Sequence, residues 1–233
     1  MGELKQREGA AWVMITGSSS GLGEQLAIEY AEKGFDIILH GRDAYRLKKV
    51  HERILGAGVR CEAVLGNLEE HELLIELVNL AREKNTKILI NNAALLCRGE
   101  SLVDLDQRYI DSAIAVNLQA PIFLIKNLIS QLMYIVNINS VAAYERKQNR
   151  TIYCASKGAL KIFSETLSLE TDTKLLDVYI SKLKKSPLDF GLDLNIVASE
   201  VYNSFHTNDH SLVLDGRGGE TVVIRNKTEH KIL

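Results

Sequence analysis

The sequence predicts an α/β protein of the doubly wound class, in which a parallel sheet lies between two layers of helices. Short apolar runs alternate with amphipathic stretches of helical spacing up to about residue 172, and this alternation is typical of a parallel sheet covered on both faces. Right-handed crossovers leave the doubly wound arrangement as the natural solution. The 233 residues contain no internal repeat, so one domain over residues 1–233 is expected, with a divergent part from about residue 173.

The elements alternate in order along the chain. Five apolar runs are predicted to be strands: residues 10–17, 35–42, 60–67, 86–93 and 134–140. Five stretches are predicted to be helices: residues 21–34, 43–55, 69–84, 105–132 and 152–170. Asp43 is a plausible N-cap, Gly34 a stop signal, and Pro121 an interruption of the fourth helix.

Beyond Thr173 the pattern weakens. Residues 176–183 fit a strand, and residues 189–210 are ambiguous between strand and helix. Residues 211–215 and 221–225 favour strands separated by a glycine-rich turn at 216–219.

The composition excludes several classes of protein. Hydrophobic residues make up 46% and charged residues 25% of the chain, which is typical of a globular protein and excludes disorder and a coiled coil. The formal charge of −2 gives no reason to expect nucleic acid or an anionic membrane as a partner. The cysteines (Cys61, Cys97 and Cys154) are odd in number and widely spaced, which favours a reducing compartment. No apolar run of 18 residues and no apolar signal core occur, so a cytoplasmic protein is expected.

A glycine-rich turn joins the first predicted strand to the first predicted helix. It reads Thr16-Gly17-Ser18-Ser19-Ser20-Gly21-Leu22-Gly23. A helix N-terminus presents free N–H groups to an anion, so this position suits a pyrophosphate. Here Gly17 permits the tight turn, Gly21 lets the backbone approach the ligand, and Gly23 lets the helix pack against the strand. The alternative is an ordinary strand-to-helix turn.

Four further motifs follow in order. They are Asn91-Asn92-Ala93-Ala94 after the fourth strand, Asn117 in the fourth helix, Ser140 at the end of the fifth strand, and Tyr153-x-x-x-Lys157 in the fifth helix. With the T-G-x-x-x-G-x-G turn, they make residues 10–172 resemble the short-chain dehydrogenase/reductase family. The resemblance implies a Rossmann-like fold and an oxidoreductase that interconverts a carbonyl and an alcohol on a small or medium-sized substrate with a nicotinamide cofactor.

The predicted catalytic residues are Asn117, Ser140, Tyr153 and Lys157. Reduction of a carbonyl needs a proton as well as the hydride, and a phenol with a pKa of about 10 is a poor donor unless a cation lies near it. Tyr153 and Lys157 share one helix face, where the cation lowers the tyrosine pKa by about 1–3 units. By the resemblance, Lys157 holds the nicotinamide ribose, Ser140 binds the substrate oxygen, and Asn117 holds a water in the proton path. Taken singly, each residue has an ordinary alternative: Tyr153 and Lys157 as a pair on an exposed helix, Ser140 as a capping or turn residue, and Asn117 as a surface residue.

The end of the second strand predicts which cofactor binds. NAD-dependent proteins place an acid there, which holds the ribose hydroxyls and repels a 2′-phosphate. This chain has Gly41 in that place and Arg42 after it, and a guanidinium pairs well with phosphate. We therefore expect NADP(H) to be favoured over NAD(H), unless Arg42 is a solvated residue that pairs with Asp43. The cofactor-binding residues expected from motif and resemblance are Gly17, Ser19, Ser20, Gly21, Leu22, Gly23, Arg42, Asn67, Leu68, Asn91, Ala93, Tyr153 and Lys157.

One segment departs from the family. Residues 178–190 lack the family's P-G-x-x-x-T-like pattern, because Pro187 is followed by Leu188 and no threonine follows nearby. A non-catalytic dinucleotide-binding sensor or scaffold therefore remains an alternative. By the resemblance, a homodimer or homotetramer forms through the fourth and fifth helices. No metal site is predicted, since the pair His206 and His210 needs a third ligand, and Cys154 is expected to be a packing residue.

Overall fold

An eight-stranded sheet forms the centre of the molecule in a computed structural model that describes residues 10–96, 99–184, 191–217 and 221–227. The strands are β1 (Trp12–Ile15), β2 (Asp36–Gly41), β3 (Cys61–Leu65), β4 (Ile88–Asn91), β5 (Tyr134–Ser140), β6 (Lys174–Ile180), β7 (Asp209–Asp215) and β8 (Val222–Lys227). Their order across the sheet is β3-β2-β1-β4-β5-β6-β7-β8. All neighbours pair in parallel except β7 and β8, which are antiparallel. The first six strands have the Rossmann order, as predicted.

Helices cover both faces of the sheet. They are α1 (Gly21–Glu32), α2 (Ala44–Gly56), α3 (His71–Glu83), α4 (Gln107–Ile114), α5 (Ala120–Leu128), α6 (Thr151–Leu167) and α7 (Leu194–Ser204). One apolar core packs α1, α2 and α7 against the sheet, and a second packs α3, α5 and α6 against the other face. Alternate residues of β1 divide between the cores: Val13 and Ile15 face the first, Trp12 and Met14 the second. The predicted three-layer arrangement is therefore confirmed.

The predicted fourth helix is interrupted before its proline. A π-helical turn, Ala115–Gln119, separates α4 from α5, and the Ala120 N–H donates to the Ala115 carbonyl five residues earlier. Pro121 lies in the first turn of α5, where its missing N–H costs nothing. A π turn shifts the hydrogen-bond register within a helix and often marks a functional site. Here it contains Asn117.

The ambiguous segment 189–210 contains the helix α7 and the first two residues of β7. The strands predicted at 211–215 and 221–225 are β7 and β8. The added strand β8 closes this end of the sheet as a hairpin with β7. The Arg225 guanidinium on β8 donates to Ser204 and to the buried Asp209, both at 2.8 Å, and also pairs with Glu200 on α7. These polar partners lie far apart in sequence, so periodicity could not reveal them.

Parts of some predictions fall on residues 97–98, 185–190, 218–220 and 228–233, which lie outside the described residues, as do residues 1–9. They include Cys97, the Pro187–Leu188 departure and most of the glycine-rich turn before β8. Within the described ranges, no helix is both long and apolar enough to span a bilayer.

Candidate active site

The glycine turn between β1 and α1 is packed closely against the end of β4. Gly17 has φ +65°, and a Cβ there would lie 2.8 Å from the Cα atom of Ala93. A Cβ on Gly23 would lie 2.3 Å from the Gly17 carbonyl oxygen and 2.5 Å from Nδ2 of Asn92. Gly21 has φ +59° but faces open space. The first and third glycines are thus needed for packing, and the second for its backbone conformation.

His40 on β2 holds this turn in place. Its Nδ1 accepts from the Gly17 N–H at 3.2 Å, and its Nε2 lies 3.2 Å from the Gly66 carbonyl. Because a backbone N–H must donate and a carbonyl must accept, the ring is neutral with its proton on Nε2. The pKa of His40 is lowered from 6.5 to about 4, mainly by burial and also by the nearby Arg42 charge, while the hydrogen bond to Gly66 raises it. The sequence analysis missed this role.

Beside the turn lies a cleft of 640 Å³. Its lining includes nine of the predicted cofactor-binding residues: Gly17, Ser19, Ser20, Leu22, Gly23, Arg42, Asn67, Leu68 and Ala93. Ser20 precedes α1 without capping it through its side chain, so its hydroxyl is not used by the helix end. The cleft therefore combines a helix N-terminus with hydroxyls and a cation, the features that bind a phosphate-bearing ligand.

Two arginines stand where the second strand meets this cleft. The lining contains Arg46, which the sequence analysis missed, as well as Arg42. Asp43 accepts from the Arg46 backbone N–H at 3.0 Å and lies 3.4 Å from its Nε, so Asp43 caps α2 as predicted and pairs with Arg46. The alternative pairing of Asp43 with Arg42 is not the one observed. A Cβ on Gly41 would lie 2.6 Å from Cβ of Ser19, so the serine fills the space that an acidic side chain at position 41 would need.

Two predicted cofactor residues, Asn91 and Asn67, use their side chains in contacts within the protein. The Asn91 side chain is buried and donates to Oδ1 of Asn137 at 2.8 Å, so it faces the core and not the cleft. Its neighbour Asn92 lines the cleft and donates to the carbonyls of Thr16 and Gly17. This difference follows from strand alternation, which sends successive side chains to opposite faces.

The side chain of Asn67 is engaged within its own loop. Its Nδ2 donates to Oε1 of Glu69 at 3.0 Å, while the Glu69 N–H approaches its Oδ1 at 3.4 Å. Oε2 of Glu69 accepts from Ser112 at the start of the fourth helical region. This arrangement leaves the backbone of Leu68 beside the cleft, next to a fixed amide.

Lys157 and Tyr153 lie one turn apart on α6. Lys157 is 3% exposed, and its Nζ donates to the Ile138 carbonyl at 3.0 Å. Burial lowers the pKa of Lys157 to about 8, although the Asp177 carboxylate raises it. Lys157 is thus mostly charged at neutral pH, but it loses its proton at a lower pH than an exposed lysine does. Tyr153 is half-buried, and neither residue is part of the 640 Å³ cleft lining.

Ser140 and Asn117 are held by contacts with other parts of the chain. The Ser140 hydroxyl lies 3.3 Å from the Ile180 carbonyl and accepts from the Ala142 N–H at 3.2 Å. Asn117 is buried, so it is not the surface asparagine of the alternative interpretation. Its amide clamps the backbone of Leu95, accepting from the N–H at 2.7 Å and donating to the carbonyl at 3.0 Å. It also lies 3.1 Å from Oγ of Ser156, which joins the cleft-lining loop to α6.

The remaining candidates have structural contacts. His206 packs edge-on against Phe205 after α7, whereas His210 lies on β7, so the two do not share a helix. Among the described residues, no group of three or more potential ligands is arranged around a metal. The Cys154 thiol donates to the Glu145 carbonyl at 3.6 Å.

Comparison with known proteins gives consistent matches. A family model described as short chain dehydrogenase matches residues 11–183. Short-chain dehydrogenase/reductase 3 of Bos taurus is 33% identical over 165 residues, covering 67% of this chain and 54% of the bovine protein. The chain thus aligns with about half the length of that curated relative.

Two solved structures share the fold at 25% identity. The bulky-bulky ketone specific alcohol dehydrogenase of Comamonas testosteroni has a TM-score of 0.82 and covers 88% of this chain and 86% of its own. A short-chain dehydrogenase of Sphingobium yanoikuyae, solved in complex with NADPH, has a TM-score of 0.80 and covers 87% of each chain. The chain belongs to the short-chain dehydrogenase/reductase family.

Proposed function

We propose that the protein is an NADP(H)-dependent oxidoreductase that interconverts a carbonyl and an alcohol on a small or medium-sized substrate. One observation carries this proposal: the glycine-turn cleft and the Tyr153/Lys157 face of α6 are tied together by the buried amide of Asn117. A cofactor bound at the turn would therefore share one rigid frame with the proposed proton donor. Such preorganised placement is what acid–base catalysis requires.

The cleft residues fit a phosphorylated dinucleotide. The N-terminus of α1 with Ser19 and Ser20 would hold the pyrophosphate, and Leu68 with Asn67 would hold the adenine. Arg42 would pair with the 2′-phosphate of NADP(H), with Arg46 adding positive charge. The absence of an acid at Gly41 removes the repulsion that would disfavour this phosphate. The NADPH complex of the Sphingobium relative is consistent with this preference.

The chain's own residues supply the proton and stabilise charge. Bound nicotinamide supplies the hydride. Lys157, charged at neutral pH, stabilises the phenolate that Tyr153 becomes after it gives its proton to the substrate oxygen. Ser140 would donate to that oxygen after its hydroxyl turns from the Ile180 carbonyl. The side chain of Asn117 is occupied, so its proposed contact with a water in the proton path would use the backbone in the π turn.

The test is turnover of NADPH over a carbonyl panel, followed through the near-ultraviolet absorbance of the reduced nicotinamide. The panel includes ketones that are bulky on both sides, since the Comamonas relative is specific for these. We expect Tyr153→Phe to bind NADPH normally and to lose at least about a hundredfold in rate. The matched control is Tyr45→Phe, an exposed tyrosine outside the site. Equal rates for wild type and Tyr153→Phe would refute the assignment.

The same assay distinguishes this proposal from the alternative of a dinucleotide sensor. One observation supports that alternative, because the backbone after β6 forms hydrogen bonds within its own segment. The Lys184 N–H donates to the Leu192 carbonyl, and the Leu192 N–H donates to the Lys182 carbonyl. Tight NADPH binding by calorimetry without reduction of any carbonyl would favour the sensor.

The proposal includes a homodimer or homotetramer in the cytoplasm. A groove between α5 and α6, lined by apolar residues such as Ile122, Ile129 and Phe163, supports self-association through these helices. The unpaired thiols of Cys61 and Cys154 support a reducing compartment. Light scattering coupled to gel filtration measures the oligomeric mass, and a monomer would contradict this part.

A further inference from the structure

A buried carboxylate lies behind α6, within a continuous polar chain. Asp177 occupies the middle of β6 between the buried Leu176 and Val178 and is 4% exposed. Its Oδ1 accepts from the Ser164 hydroxyl at 3.1 Å, and Tyr179 approaches its Oδ2 at 3.4 Å. Burying a carboxylate in a strand costs folding free energy unless hydrogen bonds or an opposite charge offset it. Nothing in the proposed reaction steps uses this group.

The polar chain leads from Asp177 to β5, the strand whose backbone accepts a hydrogen bond from the Lys157 ammonium. Asn137 on β5 is in register with Asp177 and donates to Ser164 at 2.9 Å. The next residue of β5, Ile138, accepts the Lys157 ammonium through its carbonyl. All the side chains involved are at most 4% exposed. Water therefore cannot screen the lysine from the carboxylate, and their charges interact more strongly than at the surface.

We propose that Asp177 is a positioning residue for the reaction, whose carboxylate supplies the counter-charge that keeps the Lys157 ammonium charged inside the protein. This inference rests on the proposed function. Asp177 touches neither substrate nor cofactor, and it acts on Tyr153 only through the charge of Lys157.

The surrounding charges make Asp177 the relevant partner. Within the described residues, Asp177 is the acid whose charge raises the pKa of Lys157. Around Asp177 itself lie the phenols of Tyr179 on its own strand and Tyr144 after β5, and Glu165 on α6. Its register partner on β7 is the uncharged Ser211. Glu165 lies on α6 like Lys157, but it is exposed and paired with Lys161, so it is the matched acid for comparison.

The pKa values of Asp177 and Lys157 lie close together. Burial raises the pKa of Asp177 to about 7, while burial lowers that of Lys157 to about 8. Between these values both groups are charged, so the counter-charge is present in the range in which the lysine would otherwise lose its proton. Below pH 7 the carboxyl takes up a proton and the counter-charge fades.

The test is an NMR titration of lysine side chains labelled at the ε position, with Lys157→Met used to assign the signal. Three chains are compared without cofactor: wild type, Asp177→Asn and Glu165→Gln. Asparagine keeps an acceptor for Ser164 and removes only the charge. We expect the Lys157 pKa to fall by about one unit in Asp177→Asn, a tenfold change in the ratio of charged to neutral lysine. It should stay at its wild-type value in Glu165→Gln.

A second readout connects this charge to the reaction. The alkaline limb of the pH–rate profile should move to lower pH in Asp177→Asn and stay in place in Glu165→Gln. Equal Lys157 pKa values in all three chains would overturn the inference, even if Asp177→Asn is less stable. The titration needs no turnover, so absence of activity in wild type would count against the proposed function alone.

Discussion

Acidification should break the hydrogen bond by which His40 holds the glycine turn. Because the Nδ1 atom of this residue accepts from the Gly17 N–H, a proton on Nδ1 would set two donors against each other. Burial also disfavours the charged ring and, with the nearby Arg42 charge, lowers the pKa of His40 from 6.5 to about 4, although the hydrogen bond to Gly66 raises it. Each tenfold change in proton affinity corresponds to roughly 1.4 kcal/mol, so neutral His40 contributes about 3 kcal/mol.

The sign of this contribution sets its pH window. A histidine whose pKa is lowered by folding contributes its full stability above pH 6.5, and the contribution is lost as pH falls towards 4. We expect the free energy of unfolding of wild type, measured with urea, to fall between pH 7 and pH 4 by about 3 kcal/mol more than that of His40→Gln. Glutamine offers one acceptor and one donor but does not titrate. NADPH affinity should weaken over the same window.

His71→Gln is the matched control, because His71 is exposed at the start of α3 and lies outside the turn. This variant should keep the acid-dependent loss seen in wild type. If wild type and His40→Gln lose equal stability between pH 7 and pH 4, the role assigned to His40 is refuted.

Three further predictions concern packing and charge. Gly23→Ala places a methyl group 2.3 Å from a backbone oxygen of the turn and should cost about 2–3 kcal/mol and abolish NADPH binding, whereas Gly21→Ala meets no atom and should cost only about 1–2 kcal/mol for its positive φ; urea unfolding and calorimetry measure both. Gly41→Asp alone should not create a preference for NADH, because its Cβ lies 2.6 Å from Cβ of Ser19; the pair Gly41→Asp with Ser19→Gly should invert the ratio of the two dissociation constants. Arg225→Met should destabilise the chain by about 3 kcal/mol in urea unfolding, since a buried aspartate loses a charged partner; a smaller loss than that of Gly21→Ala would contradict this.

Local patterns were enough to predict the first two thirds of the fold. Apolar runs and glycine stops predicted five strands of the sheet, because each depends on neighbours in sequence. Residues 189–210 were ambiguous, since α7 and the start of β7 are held by long-range contacts such as those of Arg225 and of Lys174, whose Nζ donates to the carbonyls of Ser204 and Phe205. Periodicity carries no record of such contacts.

The candidate site shows the same division. Its glycines and the Tyr153/Lys157 pair stand at characteristic spacings, so the motif alone singles them out. His40 and Asp177 have no motif, and their importance follows from burial and from partners on other strands. A histidine at the end of the second strand was visible in the sequence, but only the fold shows that it reaches Gly17. The side chain of Asn92 lines the cleft while that of Asn91 is buried against Asn137, and the motif names this pair of asparagines without saying which one faces the cleft.

The most direct test of the proposed activity follows the hydrogen that is transferred. NADPH that carries deuterium at both hydrogen positions of C4 of the nicotinamide is incubated with the protein and a ketone from the panel, and the alcohol is analysed by mass spectrometry. We expect one deuterium on the carbinol carbon of the product, formed by wild type and at a rate reduced at least about a hundredfold by Tyr153→Phe. Tight NADPH binding with no deuterated alcohol from any ketone or aldehyde would contradict the account.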